Sequence, residues 1–479
     1  MKRAWAALAA VGVLVAGYAA LDAADLAPGL LTTAPAPPPP PTETPGTRTL
    51  PLVPQPTPTT SAGMPLPPLS GASAAPDVAG IRGRLGPVTA LPALSDSSLV
   101  VRDGQTGDVL YDRDGDLLRT PASTTKLLSA ASIGQTFAPG ATLRTRVVAG
   151  VGPSEIVLVA GGDSLLAPGK GDPNAVAGRA GLADLAGQVA KSLKAKALTS
   201  VTLSVDTTYA AGPPVAPTWG AGFRPLGITA AVAMLGRSDQ RETAGKASPA
   251  DPVASTRDLF AKRLRERGLQ VTVSTKPAKP RVETDGAYGS VESAPVRDQL
   301  ALAITDSDNA LTEILARQAA FRSGIDTDAA DGFARTGAWV VSKVGSLGLA
   351  TKGIVLRDGS GLSRENRVTA NLLTELLVLG YDGRHAVLRA ALDGLPIAGL
   401  TGTLADRFDG GATRPAAGRA RAKTGTLTGV SALAGSVVDD DGRLLVYSGL
   451  VAGAGTNEAR AALDRFVAVI ASCGCRAVP

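Results

Sequence analysis

The sequence predicts an α+β protein, with strand pairs towards both ends of its folded region, helices between them and an inserted domain. Three observations carry this. First, "SSLVVRDGQTGDVLYDRD" reads as two strands, because apolar runs flank the turn residues of "GQTG". Second, "GRARAKTGTLTGVSALAGSVVDDDGRLLVYSGLVAG" gives consecutive strands, with "DDDG" as a hairpin turn. Third, far more residues separate Lys126 from Ser307 than a helix-to-helix connection requires. Within that gap "SEIVLVAGGDSLL" and "SVTLSVDTTY" read as strands of something separate. A stretch of residues 142–290 suffices for one domain of ordinary size.

Taken in order, the chain opens with "MKR" and an apolar run from Ala4 to Leu21, a positive segment followed by a hydrophobic one. Residues 1–24 therefore read as an export signal, either cleaved or kept as a membrane anchor, with the rest of the chain outside the cytoplasm. Residues 25–78 include "APAPPPPPTETPGT" and "LPLVPQPTPTT", a composition that favours extended polyproline segments and cannot build a core. At ~3.1 Å per residue such a spacer reaches roughly 100 Å or more. The folded region is expected from about Ala79.

Composition narrows the function. With 479 residues, 44% hydrophobic and 19% charged, the chain can bury a large core in one to three domains. Its net charge of +6 suits anionic surroundings, but no arginine-rich block marks a nucleic-acid site. Aromatic residues at 3% weigh against sugar-stacking lectins and glycosidases. His385 is the only histidine and has no motif around it, so neither a Ser-His-Asp triad nor a histidine-rich zinc site is expected. Cys473 and Cys475, in "CGC", are either two thiols or a disulfide in a strained ring, and neither reads as catalytic.

In "TPASTTKLLSAAS", Pro121 and Ala122 suit a first helical turn, and Leu127, Leu128, Ala131 and Ile133 form an apolar face that buries the segment. Ser123 and Lys126, three residues apart, share a face, so the side chains can meet. A serine hydroxyl needs a base to become a nucleophile, and a lysine stripped of water can be that base. A P-loop is excluded, because the glycines and the G-K-[ST] order are missing. In "VRDQLALAITDSDNALTEILARQ" two helical patterns break at Asp306 to Asn309, from which Ser307 and Asn309 project; Asp306 or Ser307 also suits a helix cap. Lys423, Thr424 and Gly425 fall in the first of the later strands, where Gly425 marks a close approach by another backbone, such as a bound peptide. Taken singly, each of these three signals also fits an ordinary surface pair, a cap and a solvent-facing lysine beside a bulge.

S-x-x-K, S-x-N and K-T-G each occur once and in this order, as in penicillin-binding proteins and class A β-lactamases. With "GGDSLL", "DGSGLSRENRVT", "GLTGTLADRF" and "AKTGTLTGVSALAG", the region after Ala79 resembles the class C low-molecular-weight penicillin-binding proteins, which are D-alanyl-D-alanine carboxypeptidases and endopeptidases. The resemblance implies a five-stranded antiparallel sheet with helices on both faces, split between residues 79–141 and 291–479 and closed by a helix from Asn457 to about Ala471. It implies Ser123 as the acylated nucleophile, Lys126 as its base and Ser307 as a proton relay. Asn309 would hold the substrate's amide, and Lys423, with Thr424, Gly425 and Thr426 of the same strand, would read the terminal carboxylate. Backbone N–H groups of Ser123 and Thr426 would form the oxyanion hole. Asp163 of "GGDS" is expected to serve a turn. The implied partners are peptidoglycan stem peptides and, as inhibitors, β-lactams; no metal or other cofactor is called for. Two alternatives stand beside this reading: a β-lactamase, and a wall-binding relative that keeps the fold without the chemistry.

Overall fold

The computed structural model describes residues 76–276, 278, 286–382, 388 and 392–474. The export segment, most of the spacer, His385 and Cys475 lie outside the described residues. Among the described residues no helix is long and apolar enough to cross a membrane. Cys473 is buried and disulfide-bonded.

The chain runs through α1 (Val78–Thr89), β1 (Ser97–Asp103) and β2 (Val109–Arg113), then a 3-10 turn at Ala122–Thr124 that leads into α2 (Thr125–Gly134). There follow β3 (Arg144–Ala149), β4 (Glu155–Val159), α3 (Leu182–Ala195), β5 (Ser200–Asp206), α4 (Pro252–Arg265), β6 (Gln270–Val273) and β7 (Gly289–Glu292). After these come α5 (Val296–Thr305), α6 (Asn309–Arg322), α7 (Gly332–Gly345) and α8 (Ala370–Tyr381). The last elements are β8 (Ala420–Leu427), β9 (Val430–Val438), β10 (Leu444–Ala452) and α9 (Thr456–Ala471).

Among the described residues two five-stranded sheets result. The first has the order β2-β1-β10-β9-β8 and every neighbouring pair is antiparallel. Alternation along its strands sends side chains to two cores, because successive residues of a strand face opposite sides. Val100, Ala434 and Val446 join Leu128 of α2 and Leu373 and Leu377 of α8 on one face. Leu99, Leu433 and Tyr447 join Ile81 and Leu85 of α1 and Leu463 and Phe466 of α9 on the other. Both faces being covered, β9 is buried along nearly its whole length. The expected antiparallel sheet with helices on both sides is therefore what forms, and α9 covers the predicted closing helix.

The second sheet has the order β6-β5-β4-β3-β7. Its β4, β5 and β6 run parallel, which demands crossovers, and α3 and α4 supply them. Leu185, Val189 and Leu193 of α3 and Phe260 and Leu264 of α4 pack on Leu158 and Leu203 in a further core, which Ile314 of α6, Phe333 of α7 and Leu362 also join. Asp163 closes a local turn, its carboxylate accepting from the Leu165 N–H at 2.8 Å.

The helix α1 was not foreseen: it starts at Val78, within the stretch read as spacer, and the Asp77 carboxylate caps it by accepting from the Gly80 N–H at 2.8 Å.

Candidate active site

The site forms where three pieces of chain converge: the turn before α2, the break between α5 and α6, and β8. Ser123 sits in the 3-10 turn rather than in the helix itself. The residue before it, Ala122, has a φ of 47°, in the left-handed region that strains a residue with a Cβ. Two glycines let other backbone press against this turn. A Cβ on Gly361 would stand 1.9 Å from the Ala122 carbonyl oxygen, and one on Gly425 would stand 2.8 Å from that of Pro121. The backbone approaching Gly425 is thus the chain's own Pro121–Ala122 turn, which corrects the expectation of a bound peptide at that point. Gly425→Val is expected to overpack against this turn and cost about 1–3 kcal/mol of stability, measured by urea unfolding.

Lys126 begins one helical turn later and is fully buried. Its ammonium has three hydrogens, and all three are used: it donates to Ser123 Oγ at 3.0 Å, to Asn309 Oδ1 at 2.6 Å and to the Ser360 carbonyl at 2.7 Å. Burial lowers its pKa to about 8, against the pull of the Glu242, Asp358, Glu313 and Asp308 carboxylates. An amine so placed can lose its proton near neutral pH and accept one from the neighbouring hydroxyl.

Between α5 and α6 the backbone turns at Ser307, whose φ is 59°. The cap of α6 is Asp308, not Asp306 or Ser307: its carboxylate accepts from the Leu311 N–H at 2.8 Å. Ser307 is thereby left free to present its hydroxyl to Lys423, whose Nζ donates to it at 2.9 Å. Lys423 is also fully buried and bonds to the Thr424 carbonyl at 2.9 Å, so it does not face solvent. Burial, with Lys126 close by, holds its pKa well below the usual lysine range. Thr424 Oγ1 meets Thr403 Oγ1 at 2.8 Å, and the Thr426 hydroxyl accepts from Arg460 Nη2 at 3.0 Å.

Ser123, Ser307, Asn309, Thr424 and Thr426 line one open cleft, with Trp219 from the second-sheet region in its wall. β8 is an edge strand of its sheet. Residues 396–398 cover the start of β8, but Thr424 and Thr426 border the cleft. An edge strand beside a cleft can accept an extended peptide as a further strand. The S-x-x-K, S-x-N and K-T-G residues, scattered over 300 positions of sequence, are thus gathered at one place.

The sequence model of the D-Ala-D-Ala carboxypeptidase 3 (S13) family matches residues 82–235 and 236–472. The chain belongs to this family. It is similar to a carboxypeptidase of Mycobacterium tuberculosis, 33% identical over 418 residues that span 85% of this chain and 87% of the relative. It is also similar to the carboxypeptidase DacB of Mycolicibacterium smegmatis, 34% identical over 79% of this chain and 80% of the relative. Among solved structures, penicillin binding protein 4 of Haemophilus influenzae shares the fold, with a TM-score of 0.64 at 19% identity over 82% of this chain and 98% of that one. The protein is accordingly an enzyme of the serine D-Ala-D-Ala carboxypeptidase class.

In this S13 enzyme several site residues escaped sequence reasoning. Glu313 of α6 is buried, and its Oε1 accepts from the N–H groups of Gly359 and Ser360 at 2.9 and 2.6 Å, which aims the Ser360 carbonyl at Lys126. Burial and the nearby Asp358 push its pKa up to about 7. Asp358 accepts from Trp219 Nε1 at 2.7 Å, from the Gly361 and Ser363 N–H groups and from Asn366 Nδ2, so it pins the same loop. The signal for Glu313 was a carboxylate amid the apolar residues of α6; for Asp358 it was the turn-rich "DGSGLS". Arg460 had no such signal.

Proposed function

We propose that the chain is a serine D-alanyl-D-alanine carboxypeptidase and endopeptidase that acts on peptidoglycan stem peptides outside the cytoplasm, through an acyl-enzyme on Ser123. The observation that carries this is the fully buried Lys126 amine 3.0 Å from the Ser123 hydroxyl. The stem peptide lies along the outer edge of β8. Ser123 Oγ attacks the carbonyl carbon of the penultimate D-alanine while its proton passes to neutral Lys126. Backbone N–H groups of Ser123 and Thr426 stabilise the resulting oxyanion. The C–N bond then breaks, and the leaving amine receives the proton by way of Ser307, which Lys423 orients. Water next attacks the ester; one of its protons returns through Lys126 to the Ser123 oxygen, and the shortened stem leaves.

Thr424 and Thr426 face the terminal carboxylate with Lys423 behind them, and Arg460, exposed beside Thr426, adds a guanidinium at that end. Lys423→Ala is expected to weaken recognition of the free carboxylate. A β-lactam acylates the same hydroxyl and stays attached, its adduct hydrolysing slowly. The same reading divides the chain into a catalytic domain of residues 79–141 and 291–479 and an inserted domain of residues 142–290, led by an export segment and a spacer.

Labelling with a fluorescent penicillin tests the proposal: wild type is expected to carry a stable label and Ser123→Ala none. Rapid turnover of penicillin would instead make the protein a β-lactamase, and an unlabelled wild type would make it a wall-binding relative. Mass analysis after incubation with monomeric and cross-linked muropeptides then reads terminal D-alanine release and cross-link cleavage separately. Because the base must be neutral to act, the acylation rate is expected to rise with pH through about 8, where Lys126 loses its proton. A flat profile from pH 6 to 9 would count against Lys126 in that role.

A further inference from the structure

The connection from β5 to α4, part of the second-sheet region, carries a pair of charged residues that reach into the site. Arg241 donates to Asp308 Oδ2 and to Asp306 Oδ2, each at 2.9 Å. Its neighbour Glu242 takes the first N–H groups of α6: Oε1 accepts from Asn309 N at 2.9 Å, and Oε2 from Ala310 N at 3.1 Å. Glu242 Oε1 also accepts from the Asn309 side chain, at 3.2 Å from Nδ2. The other Nδ2 hydrogen goes to the Ile228 carbonyl at 2.7 Å.

This arrangement decides which way the Asn309 amide points. With both Nδ2 hydrogens directed at acceptors, Oδ1 is left to face Lys126 Nζ at 2.6 Å. A flipped amide would set its oxygen against a carboxylate and a carbonyl and turn its NH2 towards an amine, a loss of hydrogen bonds on both sides. Asn309 can reach a substrate amide with Nδ2 only by exchanging one of these partners.

We propose that Glu242 is a positioning residue for the reacting pair: through the Asn309 amide it fixes Lys126 Nζ against Ser123 Oγ, and it sets a carboxylate directly behind that amide. The inference rests on the reading of Ser123 and Lys126 as nucleophile and base. Burial, with Asp308 beside it, pushes the Glu242 pKa up to about 8, close to that of Lys126, and each of the two groups acts electrostatically on the other. A carboxylate out of electrostatic reach of the amine, serving only to cap α6, would leave the titration of Lys126 unmoved.

The charged groups facing Lys126 are Asp308 from the α5–α6 turn, Glu313 from α6, Asp358 from the loop before α8, Lys423 from β8 and Glu242. Glu242 itself faces Asp308 and, across Asn309, Lys126. In Glu242→Gln the other groups remain, so a displaced titration reports Glu242 alone. The variant keeps the size of the side chain, loses its charge and sets an NH2 against a backbone N–H it formerly accepted from.

The test is acylation by a fluorescent penicillin across pH in wild type and Glu242→Gln, each shown by thermal melting to be folded. The plateau rate is expected to fall roughly tenfold, and the rising limb to move about one pH unit lower, since an opposite charge near the amine is gone. Glu242→Ala should move the limb the same way. A lowered plateau with an unmoved limb, or no change in either, overturns the proposal. Should the wild type take no label, the functional reading itself fails, and the positioning role is then decided by nuclear magnetic resonance titration of the isotope-labelled Lys126 side chain. A midpoint lower in Glu242→Gln supports the role; an unmoved midpoint ends it.

Discussion

Lys126→Met is expected to lower the rate of Ser123 acylation by about 10²- to 10⁴-fold, the range that a positioned base supplies. Methionine nearly matches the length of lysine and suits the fully buried site, so the protein should fold. What it removes is the amine that touches the hydroxyl, together with the donor to Asn309 Oδ1 and the Ser360 carbonyl. Lys423 does not replace it, because its Nζ is committed to Ser307 and the Thr424 carbonyl. Stopped-flow acylation with a chromogenic β-lactam gives the ratio directly. A variant that retains more than about a tenth of the wild-type rate would remove Lys126 from the role of base.

Asp103→Ala is expected to cost about 3–5 kcal/mol of stability, the usual consequence of removing one partner of a buried ion pair. Arg443 grips Asp103 with two bonds, at 2.7 and 2.9 Å, and both side chains are nearly inaccessible. Asp103 also accepts from the N–H groups of Gln105 and Thr106, at 2.8 and 3.0 Å, so its loss loosens the β1–β2 turn as well. Burial alone would raise the pKa of this carboxyl, but Arg443 and the two backbone donors outweigh it and hold it below the ordinary aspartate value. A folded pKa below the unfolded one gives stability that is present above the unfolded value and lost as pH falls through the folded one. Urea unfolding should therefore separate wild type from the variant fully at pH 7, with the gap narrowing in acid. Equal midpoints at pH 7 would refute the assignment.

Much of the site was legible because its chemistry needs particular residue types at short spacings. Ser123 and Lys126 sit one turn apart, Ser307 and Asn309 flank a helix start, and the K-T-G run lies in a strand with a readable alternation. Contacts made across the chain leave no such trace. Glu242 acts from a connection with no period, and the partner of Gly425 is a turn 300 residues earlier. The helix α1 was missed for a different reason. Its sequence, "VAGIRGRLGPVT", holds three glycines and a proline, poor helix formers, and only the packing of Ile81, Leu85 and Val88 beside α9 overrides them.

The position of β1 between β2 and β10 governs how the molecule is born. Its second neighbour is made some 340 residues later, a closure whose chain entropy alone is about 5 kcal/mol. A nascent chain that has already produced Ser123, Lys126, Ser307 and Lys423 still lacks the strand that joins the two ends of the sheet. Catalytic competence should consequently emerge in one late, slow event, and fragments ending before Leu444 should be inert however many of the reacting groups they contain.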